Sequence, residues 1–228
     1  KIIKNLGFDG IDINLGCPVR EVMKQGACSA MIGDRDIVGE IISATAEAGL
    51  PVSVKTRIGI KKIMIEEWVG FLLTQNLAAI TVHGRTAADK SEVPAHWNEI
   101  GKAVSLRNQS KSKTLIIGNG DVTSLLDARR YALTYGVDGV MIGRGIFQNP
   151  AIFNSQTTIL NPQQKLELFL KHSKLFKSTW GNTKNFAILK KFAKTYVNGY
   201  VGAAETREKL VATKNYDQLL VVLHQLYG

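Results

Sequence analysis

One pattern recurs five times between residues 10 and 143. A short apolar run ends in a polar or glycine-rich knot, and a stretch with helical spacing follows. The runs are 10–15, 52–56, 79–83, 115–118 and 139–143, rich in Ile and Val with little polar alternation. That composition predicts parallel strands covered on both faces. The intervening stretches are long enough for crossover helices. Helical spacing is clearest over 37–48, 66–75 and 125–135, the last with Thr123 or Ser124 as its cap. Repeated strand-helix units mean an α/β fold.

Reactive residues cluster at the C-terminal end of each run. They are Asp12, Asn14 and Cys17, then Lys55 and Arg57, His83 and Arg85, Asn119 and Asp121, and finally Arg144. Both open sheets and barrels of this class do their chemistry at strand C-termini. A doubly wound sheet concentrates function on one glycine motif after its first strand. Here it is spread over every strand, which favours a (β/α)8 TIM-type barrel. Five units do not close an eight-stranded barrel, so the chain is expected to carry about the last five. The opening Lys1–Gly7 agrees, because it reads as the last turn of a helix, with Gly7 just past its end. Residues upstream of it are therefore expected.

The strand pattern stops near Asn161-Pro162. Beyond it, 163–178 and 185–200 read as amphipathic helices, and Asn215 or Asp217 is placed to cap a last one. This predicts a partial barrel over 1–160 and a small all-α domain over 161–228. The whole chain has 29 Lys plus Arg against 19 Asp plus Glu; residues 161–228 hold 11 basic and 4 acidic. Positive charge is thus concentrated in the helical tail, and an anionic partner such as nucleic acid is expected. A solvated lysine face is the alternative. Two cysteines make no disulfide framework, so a reducing, cytoplasmic setting is expected. No membrane span or signal peptide is read.

Cys17 lies in Asp12-Ile13-Asn14-Leu15-Gly16-Cys17-Pro18, directly after a strand end. Its thiol could be a nucleophile, a metal ligand, a general acid or a small buried hydrophobe. A metal site fits poorly, since Cys28 is the only other thiol. Cys28 sits among small residues and reads as packing. Lys55-Thr56-Arg57 and His83-Gly84-Arg85 place cations at two strand ends, and burying them without an anion is costly. A bound anion or an electron-rich ring would explain them; a salt bridge from Lys55 to Asp12 is the alternative. Gly118-Asn119-Gly120-Asp121 and Gly143-Arg144-Gly145 suit a phosphate site of the kind found after late barrel strands. Two tight turns would explain them equally. A dinucleotide fingerprint is absent. His96, His172 and His224 read as surface or packing residues.

Taken together, Asp12–Pro18, Lys55-Thr56-Arg57, His83-Gly84-Arg85-Thr86, Asn119-Gly120-Asp121 and Gly143-Arg144 resemble the tRNA-dihydrouridine synthases, in order and in spacing. The resemblance spans essentially the whole chain, and the tail is similar to that family's helical RNA-binding domain. It implies an FMN-containing barrel that reduces uridine in tRNA to 5,6-dihydrouridine, with NADPH as reductant. It implies hydride delivery to C6 of the uracil and a proton to C5 from Cys17. By it, Lys55 and His83 contact the flavin, Asn119, Gly120, Gly143 and Arg144 serve its phosphate end, and Asp121 is a further cofactor-binding residue. Asn14 contacts the target uracil, with Arg57 close by, and no metal is involved. An ordinary thiol is mostly protonated at neutral pH, which suits a proton donor. Cys28 stands where the family more often has Gly. The upstream flavin contacts of the family, an Ala-Pro-Met-like segment and a Gln, do not occur in this sequence.

Two other readings are open. Another FMN barrel, such as a dihydroorotate or enoate reductase, leaves the basic tail unexplained. A non-catalytic RNA-binding fragment or decayed paralogue is at odds with the intact Cys17, Lys55 and His83.

Overall fold

A computed structural model describes residues 2–154, 160–181 and 183–227. The chain forms two compact units, Lys1–Gly143 and Arg144–Gly228.

The first unit opens with a single turn, α1 (Ile2–Asn5), closed by Gly7 at φ 77°. Lys1, part of the expected opening turn, lies outside the described residues. Then come β1 (Ile11–Leu15), α2 (Arg20–Lys24), α3 (Arg35–Ala46), β2 (Val52–Arg57), α4 (Ile65–Thr74), β3 (Ala79–His83), α5 (Trp97–Gln109), β4 (Leu115–Asn119), α6 (Leu125–Tyr135) and β5 (Gly139–Met141). The strands pair in the order β1-β2-β3-β4-β5, and every pairing is parallel. A doubly wound sheet must reverse its strand order at a switch point. This sheet never does. Each strand adds beside the one before, which is how a TIM-type barrel is wound, and the fold is the expected α/β arc of such a barrel.

The period-2 alternation of the strands separates two faces. Leu15, Val54, Val82 and Ile116 are fully buried on the face that meets the helices, beside Trp68, Val69, Leu72 and Ile100. Trp68 is buried on this side and donates its indole N–H to Thr56 Oγ1 at 2.9 Å. Truncating such a residue to Ala typically costs about 3–5 kcal/mol. Trp97 at the start of α5 stacks on Tyr131 of α6, with ring centroids 4.2 Å apart, and donates to Gly120 O at 3.0 Å. Helix α5, whose buried Trp97, Ile100, Ala103 and Val104 follow helical spacing, was not singled out from the sequence. Ser124, one of the two expected caps, accepts from Asp127 N–H at the start of α6.

The second unit contains α7 (Pro162–Trp180), α8 (Ala187–Lys190), α9 (Ala193–Tyr196), α10 (Ala203–Ala212) and α11 (Tyr216–Tyr227). Asn161 caps α7 in a reciprocal box with Gln164, and Pro162 takes the first helical position, where its missing N–H costs nothing. Phe169, Leu189, Leu210, Leu219 and Leu223 are fully buried, and Phe169 stacks on Tyr196 at 4.8 Å. The single helix expected over 185–200 is instead α8 and α9. Between them Lys191 N–H bonds to Ile188 O and Phe192 N–H to Leu189 O, so a tighter three-residue turn interrupts the α spacing. The apolar stripe survives the break, since Leu189, Ala193 and Tyr196 are still buried. Helix α10 was not anticipated from the sequence. Among the described residues no helix is long and apolar enough to cross a membrane.

Candidate active site

Strand register decides which side chains meet. Asn14 stands beside Lys55, and Lys55 beside Thr81. Two residues further along the same face, Arg57 stands beside His83, His83 beside Asn119, and Asn119 beside Met141. This face is opposite to the one carrying Val54, Val82 and Ile116 against the helices. Asn14, Lys55, Arg57, His83 and Asn119 therefore form two adjacent tiers on the inner face of the arc.

Cys17 follows immediately from β1 in a bracketed loop. Asn14 Oδ1 accepts the N–H of Gly16 at 3.0 Å, and Arg57 Nε donates to Gly16 O at 2.8 Å. Gly16, the residue just before Cys17, is held through both its N–H and its carbonyl. Ser29 N–H reaches Cys17 O at 3.4 Å from the next turn. Cys17 and Cys28 are both free thiols of intermediate exposure. Cys28 adopts φ 55°, a left-handed conformation that costs an L-residue roughly 1–2 kcal/mol and costs Gly nothing.

Arg57 is almost wholly buried, and its guanidinium also donates to Thr86 O at 3.0 Å and Lys90 O at 3.2 Å. It ties the loop after β1 to the loop after β3. The latter loop is closed by a reciprocal pair, Thr86 N–H to Asp89 Oδ2 at 2.8 Å and Asp89 N–H to Thr86 Oγ1 at 3.2 Å. The Thr86 backbone bond holds the Asp89 carboxyl below its ordinary range.

Lys55 has no ion pair among the described residues. The carboxylate that could have neutralised it, Asp12, instead accepts a hydrogen bond from Ser53 at 2.6 Å. Burial pushes the Lys55 ammonium below its ordinary pKa, the Arg57 charge adds to this, and Asp12 opposes it only in part. The salt-bridge alternative for Lys55 is thus not what the structure shows. An uncompensated, half-buried cation remains, facing the same way as Asn14 and His83.

His83 is neutral. Burial is the main cause, followed by the charges of Arg57, Lys55 and Arg85, and its pKa falls to about 3 despite Asp121. Arg85, nearly fully buried, holds Asp121 through both carboxylate oxygens at 2.5 and 2.6 Å, and Asp121 also accepts the N–H of Ala95 at 2.9 Å. Gly120 lies flat against this group. A Cβ there would come within 2.5 Å of Ala95 Cβ and 3.4 Å of the His83 ring, and the residue has φ 134°, so only Gly fits. Asn119 spans to the next strand, its Nδ2 donating to Met141 O at 2.8 Å. Gly143 ends the first unit with open space where a Cβ would be.

Asp121 was expected to contact the cofactor; its pairing with Arg85 was not anticipated from the sequence. The signal was there: His83-Gly84-Arg85 and Asn119-Gly120-Asp121 have the same spacing, and register makes His83 and Asn119 neighbours. Arg85 and Asp121, each two residues past the end of its strand, then meet.

Arg144 opens the second unit. With Phe147, Gln148, Lys191, Phe192, Lys194, Thr195, Asn198 and Arg207 it lines an open groove of about 710 Å³. Four cations and two phenylalanine rings border it, and no carboxylate does among the described residues.

The fold is that of a barrel-type α/β protein, and its inner sheet face carries a thiol loop, an ammonium with no ion pair among the described residues and a neutral imidazole. A dihydrouridine synthase family model matches residues 1–225. A probable tRNA-dihydrouridine synthase from Staphylococcus aureus (strain Mu50 / ATCC 700699) is 39% identical over 225 residues, covering 98% of this chain and 69% of that protein. A probable tRNA-dihydrouridine synthase 2 from Bacillus subtilis (strain 168) is 38% identical over 220 residues, covering 96% of this chain and 68% of that protein. The chain belongs to the dihydrouridine synthase family.

Proposed function

We propose that this protein reduces uridine in tRNA to 5,6-dihydrouridine, using FMN with NADPH as reductant. The observation that carries the reading is the inner face itself, where Cys17, Asn14, Lys55 and His83 come from three neighbouring strands and the loop after the first. The face fits a flavin by its donors. Lys55 has an ammonium with no partner among the described residues, and a carbonyl or anionic ring nitrogen would supply one. Around neutral His83 the excess of cations favours an electron-rich guest.

A bound flavin, recharged by NADPH, would supply the hydride that C6 of the uracil accepts. The chain's own residues account for the rest. Breaking the C5–C6 double bond needs a proton at C5 as well as the hydride, and Cys17 Sγ gives it. Asn14 has committed Oδ1 to Gly16, so Nδ2 is the atom left to donate to a uracil carbonyl. Arg57, with its guanidinium on three carbonyls, acts by placing the Cys17 loop. Asp121 acts through Arg85. Asn119, Gly120 and Gly143 are proposed for the phosphate end of the cofactor, where glycine backbone N–H groups can converge.

Residues 161–228 are proposed to hold the tRNA, by phosphate and by shape. The groove bordered by Lys191, Lys194 and Arg207 has the chemistry for this, with cations for phosphates and Phe147 and Phe192 for bases. A reductase of small molecules has no use for such a groove. The two free thiols suit a reducing, cytoplasmic setting.

The test is incubation of the protein with an unmodified tRNA transcript, FMN and NADPH, followed by mass spectrometry of the digested nucleosides. Uridine gaining two hydrogens supports the reading. Oxidation of NADPH with no change in the RNA contradicts it.

A further inference from the structure

Arg85 Nη1 lies 3.3 Å from His83 Nε2. A guanidinium carries five N–H donors, has no lone pair to accept with, and does not lose its proton in proteins. Nε2 must therefore be the accepting nitrogen. Arg85 cannot turn away, since Nη2 is fixed to both oxygens of Asp121 and Nε donates to Val93 O at 2.5 Å. Asp121 is itself held by the Ala95 N–H, and Gly120 packs on the imidazole edge.

We infer that Asp121 and Arg85 are positioning residues that lock His83 as the neutral Nδ1–H tautomer, giving the site one N–H donor for an acceptor atom of its bound ligand. Nδ1 has no acceptor among the described residues. The charged and titratable groups facing the ring are Lys55 and Arg57 from β2, Arg85 beyond β3 and Asp121 beyond β4. Three cations against one carboxylate disfavour a second ring proton, in agreement with the low pKa of His83. The tautomer is thus set by the hydrogen bond at the other nitrogen. The identity of the acceptor, an oxygen or nitrogen of FMN, rests on the function proposed above; the lock does not.

The test is a long-range 1H–15N spectrum of histidine-labelled protein, free of flavin and RNA, with His83 assigned by its loss in His83→Gln. The expected pattern is protonated Nδ1 and bare Nε2, unchanged from about pH 8 to about pH 5. A bare Nδ1, or an imidazolium above about pH 6, overturns the inference. Arg85→Met should shift the ring toward the Nε2–H form and raise its pKa toward the ordinary 6.5. An unchanged tautomer in a folded Arg85→Met protein overturns it too. If that variant does not fold, the wild-type spectrum still decides. Because no flavin or RNA is present, these spectra can fail while uridine reduction succeeds, and the reverse.

Discussion

Arg57 Nε donates to the carbonyl oxygen of Gly16 at 2.8 Å, so a residue at the end of the second strand fixes the peptide that precedes Cys17. The same guanidinium holds Thr86 O and Lys90 O. Replacing Arg57 with Met leaves three carbonyls short of a donor, and bonds to a charged group contribute about 1.5–3 kcal/mol each, less where water can take over. The expected result is a loss of about 2–4 kcal/mol in urea unfolding and at least a hundredfold drop in uridine reduction. Arg57→Lys keeps the charge but not the fork, and should recover only part of either loss. Activity equal to wild type in Arg57→Met would remove the bracket from the account.

His83 makes stability depend on pH. Its folded pKa of about 3 lies below the ordinary 6.5, so between those values the unfolded chain binds the extra proton. Stability therefore rises with pH from about 3 to about 6.5 and is flat above. Screening by solvent reduces the effect to a few kcal/mol. Urea midpoints measured across this window should show the slope in wild type and a much smaller one in His83→Gln.

Lys55 trades stability for binding. Its ammonium is half-buried without an ion pair among the described residues. Lys55→Met removes an uncompensated charge and keeps the stem's volume, so unfolding should become harder by about 1 kcal/mol, the partial exposure discounting the larger cost of full burial. Flavin affinity should fall at least tenfold. A Lys55→Met protein that is less stable, or that binds flavin as well as wild type, would contradict the role given to this residue.

The groove predicts a salt effect. If Lys191 and Lys194 each neutralise a phosphate, the double Ala variant should bind tRNA more weakly. Its log–log salt slope should be shallower by about 1.4 to 1.8. Filter binding at several salt concentrations measures both. An unchanged slope places the RNA elsewhere on the protein.

Much of this site could be read from the chain because parallel strands deliver their last residues to one end of the sheet. Asn14, Lys55, His83 and Asn119 stood out as polar residues closing apolar runs. Their neighbours on the helix side, such as Val54 and Val82, are apolar, so the alternation was legible where it mattered. What the sequence hid are pairings that depend on register. Arg57 lies 41 residues from Gly16 and Arg85 lies 36 from Asp121, and no local pattern links them. Nor could the sequence tell whether Asp12 would neutralise Lys55 or bond to Ser53. The break between α8 and α9 was hidden for another reason. The apolar stripe from Leu189 to Tyr196 has helical spacing, and a three-residue turn changes the hydrogen bonds without moving the stripe off the core.

In the proposed reaction Cys17 hands a proton to the uracil while the rest of the inner face holds the cofactor. This is tested most directly by Cys17→Ala in single turnover, with flavin reduced beforehand and excess tRNA added. The account predicts normal flavin binding and normal reduction by NADPH, with dihydrouridine formation slowed by about 100- to 10,000-fold. Dihydrouridine appearing at the wild-type rate would contradict it, because the proton would then come from another group.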